Sequence, residues 1–161
     1  EALRTYNMVV NLSLTIVSLS ILLSYLALEF AVPLLFGNGQ TMGKKVFGIG
    51  LIRVDGVKIS TFALFVRTVL GKYTVETMIP VLMAMMIFIG TIGILGPAIV
   101  LGLLILQVAL IITSPTNSAL HDHMAATVAV DLASQMIFAT PEELVEYKKQ
   151  VHAEQVKNQP Y

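Results

Sequence analysis

Three long apolar stretches limit what this chain can fold into more than any motif does. A bilayer's hydrocarbon core is about 30 Å thick, and roughly 20 helical residues cross it. The first such stretch runs from Asn7 to Phe36, the second from Val75 to Leu95 and the third from Pro97 to Thr113. Composition agrees: 56% of residues are hydrophobic and 12% are charged, against roughly 25% charged in soluble domains. A soluble domain of this size has too little interior to hide that much apolar surface. The fold class is therefore an all-α membrane protein with three transmembrane helices in this chain.

Charge placement sets the topology. The net charge is zero, which points to no nucleic-acid partner, yet Gly37 to Lys72 carries Lys44, Lys45, Arg53, Lys58, Arg67 and Lys72 against a lone Asp55. The positive-inside rule makes this insert cytoplasmic, and two further crossings return the tail to the same side. The chain opens at Glu1 with no recognisable signal peptide. An outside start is then expected to follow an upstream helix, giving four spans in the intact protein. The expected segments are a first transmembrane helix over 7–36, a basic insert over 37–72, a transmembrane helical hairpin over 73–113 turning at Gly96-Pro97, and a cytoplasmic tail over 114–161.

Within the insert, VFGIGLIRV, then Asp55-Gly56, then VKIS reads as a β-hairpin with a two-residue type I′ turn. Thr61 is placed to cap an amphipathic helix ending at Gly71 and lying in the headgroup plane. In the tail, AATVAVDL resembles a strand. An isolated hairpin is marginal in water, so Ala125 to Leu132 is expected to pair with the insert. Thr140, Pro141 and Glu143 form a helix start with a capping box.

The polar residues of the spans carry the candidate chemistry. Asn7, Asn11, Thr15, Ser18, Tyr25 and Glu29 share one face of the first helix. Such a stripe either lines a solute path or bonds helices together. An ionisable residue at membrane depth is a functional candidate by default, so Glu29 is either a titratable transport group or the partner of a basic insert residue. Glu76 is expected to pair with Lys72. His121-Asp122-His123 is a poor metal site, because consecutive residues do not converge on one ion. His121 with Asp122 could relay a proton, or the run could simply hydrogen-bond the insert. Asp122 is expected to seek an arginine, either Arg67 or one supplied by the upstream helix.

GNGQTMGKK departs from a phosphate-binding loop: Asn38 stands where a glycine is needed and Lys45 where Ser or Thr is needed. It is read as a tight turn that sets Lys44 and Lys45 at anionic lipid headgroups. Arg53 and Arg67 are further ion-pair or headgroup candidates. Gly90, Gly93 and Gly96 are read as helix-packing positions. Cysteine is absent, excluding disulfides and thiolate metal sites. No nucleophile–base arrangement or cofactor motif is visible, so neither enzymatic activity nor a cofactor is expected.

The ordered set NGQTMGKKVFGIGLIRVDGVKIS, FVRTVLGKY and LHDHMAATVAVD resembles the RDD family of bacterial membrane proteins, most closely its Firmicutes members. The resemblance runs from the end of the first span to about Asp131. It implies a small polytopic protein of the bacterial cell membrane, with Asp122 at a family acidic position. The family's arginine and first aspartate belong to a first helix expected upstream of this chain. The family usually has Gly-Thr where Ala126-Thr127 stands here. Monovalent cation/proton antiport has been proposed for some members.

Two functions follow as expectations. One is transport, by cation/proton exchange or small-solute export, with Glu29, His121 and Asp122 as proton-carrying candidates and a homodimer supplying symmetry. The other is a non-transporting scaffold or accessory subunit that docks a partner through the insert and tail.

Overall fold

A computed structural model of the chain describes residues 1–157. The final positions of the expected tail, 158–161, lie outside the described residues. Among the described residues, three helices are long and apolar enough to cross a membrane. Helix α1 is Ala2–Phe36, α3 is Thr61–Phe88 and α4 is Leu95–Thr113. Between α1 and α3 lie a one-turn helix α2, Met42–Val46, and strand β1, Ile49–Arg53. After α4 come α5, Leu120–Ala125, β2, Thr127–Asp131, and α6, Pro141–Lys157.

Strands β1 and β2 pair antiparallel, with Arg53 opposite Thr127, Leu51 opposite Ala129 and Ile49 opposite Asp131. Insert and tail therefore meet on one side of the three spans. The apolar core sits there too: Leu51, Ile52, Val57 and Leu64 are buried. The spans behave differently. Leu12, Leu23, Leu101, Leu104 and Ile105 are exposed, as suits helices whose outer surface is solvated by lipid.

The hairpin forms with a different turn from the one expected. Gly56 N–H donates to Arg53 O and Arg53 N–H to Val57 O, each at 2.9 Å, so the loop is Arg53 to Val57. Gly56 alone takes positive φ, at 91°. A type I′ turn needs two such residues, and Asp55 instead spends its carboxylate on the Val57 N–H at 3.2 Å. The return strand is reduced to single bridges, Ile52 with Lys58 and Val57 with Phe138. β2 supplies the pairing that the hairpin lacks.

The expected interfacial helix is not separate from the second span. Ser60, rather than Thr61, caps α3 by accepting the Ala63 N–H at 3.1 Å. The helix then runs through Gly71, with a π-helical stretch over Val66–Met78. Glycine weakens a helix without ending it, and here its missing side chain is used by a neighbour. The spans also turn earlier than expected. Gly90 and Gly93 take φ of 78° and 57° between α3 and α4, and a Cβ added at either would meet nothing within 4 Å. They make the turn. Gly96 does pack closely, against Ile87. Pro97 falls in the first turn of α4, where a missing N–H costs no helical bond.

In the tail, Thr140 Oγ1 accepts the Glu143 N–H at 3.3 Å and the Glu143 carboxylate accepts the Ala139 N–H at 2.7 Å. This is the expected capping box with its return bond one residue further out.

Candidate functional site: a charge network at the insert end of the bundle

The site begins with two interruptions of regular helix. Pro33 has no N–H to offer the Glu29 carbonyl four residues back, and α1 is π-helical over Leu26–Ala31. The fully buried Thr68 hydroxyl donates to that carbonyl at 3.1 Å, tying α1 to α3. In the π-helical part of α3, the Thr74 and Thr77 hydroxyls bond the carbonyls five residues back, Val69 and Lys72, at 2.8 Å. Bonding at i→i+5 brings residues four and five apart onto one face. Arg67, Gly71, Lys72 and Glu76 share it.

The third contributor is α5. Helix α4 ends at Thr113, because Pro115 keeps Ser114 extended, with ψ of 130°. Hydroxyls of Ser114, Thr116 and Ser118 bond one another along the connection. Helix α5 then lies against α3 at Gly71, where a Cβ would stand 2.6 Å from His121 Cβ and 2.8 Å from its Cα. Only glycine allows that approach.

The ionisable groups now meet. Arg67 Nε donates to Asp122 Oδ1 at 2.8 Å, and the pair is buried. Arg67 Nη2 lies 2.9 Å from His121 Nε2. On the other side of the ring, His121 Nδ1 lies 2.9 Å from both Glu76 carboxylate oxygens, and His121 N–H donates to Glu76 Oε1 at 3.0 Å. The buried Thr127 hydroxyl donates to Asp122 Oδ1 at 3.0 Å. Lys72 Nζ reaches Glu29 Oε2 at 2.5 Å. A cleft of 280 Å³ between α1 and α3, lined by Ser24, Tyr25, Leu28, Glu29, Lys72 and Glu76, opens onto the network.

The electrostatics follow from these partners. Burial alone would push the Asp122 carboxyl up, but the His121 and Arg67 hydrogen bonds and charges hold it well below the usual carboxylate range. Burial alone would pull His121 down, but its hydrogen bonds to Asp122 and Glu76 outweigh that and the nearby Arg67 charge, and raise it.

The sequence candidates divide clearly. Glu29, His121, Asp122 and Arg67 are in this cluster. Glu76, expected on Lys72, is instead bonded to His121, because the π-helical turn carries Lys72 to Glu29. Of the polar stripe, Tyr25 bonds Thr77 at 2.8 Å and the Ser18 carbonyl accepts from Tyr73 at 3.1 Å. Asn7, Asn11 and Thr15 are exposed on the far half of α1. Arg53 is apart, in an exposed pair with Asp55 at 2.8 Å. Lys45 Nζ rests 4.0 Å from the centre of the Phe36 ring. Lys44 points inward with its Nζ buried, away from the headgroup position expected of it. The places of Thr68, Gly71 and Thr127 in this site escaped the sequence reading. Pro33 four residues after Glu29 was the one signal for Thr68; no local pattern marks the other two.

No curated protein and no solved structure matches the chain. The RDD family model matches residues 4–126, from α1 through α5 to the residue before β2. The match takes in every ionisable residue of the network, and the chain belongs to the RDD family of membrane proteins.

Proposed function

We propose that this RDD-family membrane protein is a small proton-coupled transporter, exchanging protons for a monovalent cation or small solute. The observation that carries the reading is the setting of His121. With a proton on Nδ1 alone, the ring donates to Glu76 and accepts from Arg67 on Nε2. A second proton puts a donor on Nε2, which Arg67 repels and Asp122 Oδ2, 3.3 Å away, attracts. Proton uptake therefore changes the partner of a buried arginine, the kind of local charge event that biases a two-state element. Glu29 and Glu76 face the cleft, where carboxylate oxygens suit a hard cation. Enzymatic chemistry has no part in this reading.

The basic insert favours a cytoplasmic position for the network, in a bacterial plasma membrane with anionic headgroups; a homodimer would supply the symmetry that alternating access uses. Cysteines at Lys58 and Gln155 should both label from the cytoplasmic side only. In proteoliposomes, an imposed Na⁺ or K⁺ gradient should drive proton movement read by an internal pH dye. No flux under any imposed gradient contradicts the proposal. The alternative is a membrane scaffold docking a partner through insert and tail. It draws support from Arg67–Asp122, a buried pair further bonded to Thr127 and His121 that suits a structural clamp equally well.

A further inference from the structure

The three carboxylates of the network are all engaged: Asp122 with Arg67, Glu29 with Lys72 and Glu76 with His121. One cation is left over. Lys44 Nζ is buried, and among the described residues it is the buried side-chain nitrogen without a hydrogen-bond partner. The local chain fixes it there. Thr41 caps α2, its side chain accepting the Lys44 N–H at 3.5 Å, and buried Gln40 just before it donates to the Ile49 carbonyl at 3.1 Å. The α2 turn is thereby clamped to β1, with the lysine turned inward.

An ammonium carries three donors and no acceptor. Buried without an acceptor, its charge costs far more than a neutral amine would, and a buried lysine commonly resolves this by losing its proton. The charged groups around it come from three elements: Arg67 and Lys72 on α3 oppose its charge, while Glu29 on α1 and Asp122 on α5 favour it.

We propose that Lys44 is a second proton-carrying group of this site, releasing its proton to water and remaining as a neutral amine, rather than an anchor for lipid headgroups. The electron pair stays on nitrogen and no other bond changes. Burial first, then Arg67 and Lys72, lower its pKa from 10.5 to about 8, so both forms are populated near physiological pH. What the proton is used for rests on the transport reading above; the titration does not.

The test is a titration of Lys44 in the full chain reconstituted in nanodiscs containing anionic lipid. Lysine side chains labelled with ¹³C are followed by NMR, and Lys44→Met identifies the resonance. A midpoint near pH 8 is expected, and one at 10 or above overturns the proposal. Lys44→Met gives a second readout. Because the folded chain holds this proton less tightly than the unfolded chain, the wild-type lysine is a burden below pH 8. The variant should melt higher than wild type at pH 7, with the advantage shrinking from pH 8 to 10.5. A lower melting temperature at pH 7 means that the ammonium has a stabilising partner, such as a headgroup, and overturns the proposal. Lys44→Arg, which keeps its charge at every accessible pH, should lose most of the flux that wild type shows. A chain that carries no flux while Lys44 still titrates near 8 contradicts the transport reading and supports the lysine's assignment.

Discussion

Arg67 and Asp122 lie 55 residues apart in sequence and meet at 2.8 Å, buried between the second span and the short helix that follows the third. The pair locks the tail to the bundle. Burying two charges is expensive in itself, and its balance depends on every donor and acceptor being met. Thr127 on the carboxylate and His121 on the guanidinium meet part of that demand.

Removing one member should therefore cost more than losing a surface pair. Asp122→Asn strands a buried guanidinium, and the expected destabilisation is about 3–5 kcal/mol. Asp131→Asn, at the exposed end of β2, should stay within about 0.5 kcal/mol of wild type. Thermal melting in detergent compares the two; equal, near-wild-type melting would remove the clamp from the account.

Gly71 is predicted to resist enlargement. An alanine Cβ would meet His121 backbone at 2.8 Å, so α5 must move away. Overpacking of this kind costs roughly 1–3 kcal/mol. Gly71→Ala should lower the melting temperature and disturb the His121 ring resonances together. Unchanged resonances would show that α5 does not depend on this approach.

Ala126 carries the opposite expectation. It ends α5 with φ of 50° and ψ of 49°, a left-handed conformation that penalises residues with a side chain. Glycine removes the penalty and gives back part of it as unfolded-chain entropy. Ala126→Gly should stabilise the protein by about 0.5–1 kcal/mol. A loss of stability would mean that the alanine methyl makes a contact worth more than the strain.

Stability should depend on pH through the same cluster. His121 is raised above 6.5 when folded, so its contribution is complete below pH 6.5 and is lost as pH rises through the raised value. Asp122 is lowered below 3.8, so its contribution is complete above pH 3.8 and is lost on further acidification. Both contributions are complete between these limits, while relief of the Lys44 burden runs the other way above about pH 8. His121→Gln should flatten the decline above pH 6.5 and also shrink the acid limb, because His121 is one of the groups that hold Asp122 low, leaving the part that Arg67 supplies. An unchanged alkaline decline would assign it to another group.

Much of this was legible in the sequence. Long apolar runs fix spans because lipid leaves the backbone no other option, and the β2 segment declared itself through Val128 and Val130 beside an insert hairpin too short to stand alone. Charge type and side of the membrane gave Asp122 two possible arginines, Arg67 or one from the upstream helix, and the structure shows Arg67. The π-helical stretch of α3 was not legible. It rotates Lys72 towards Glu29 and frees Glu76 for His121, and it depends on tertiary contacts that no local propensity encodes. For the same reason Gly71 was read as a helix stop, although its use is known only once α5 is placed against it. Lys44 looked like any basic residue of a surface turn until the direction of that turn was seen.

Cation-driven proton flux in proteoliposomes, compared between wild type and His121→Gln across pH 6 to 9, tests the central claim most directly. Wild type should exchange protons for Na⁺ or K⁺, and the variant should fold yet lose at least about a hundredfold of that rate, the low end of what one proton-transfer group contributes. Wild-type flux unaltered in His121→Gln, or no wild-type flux at all, would contradict it.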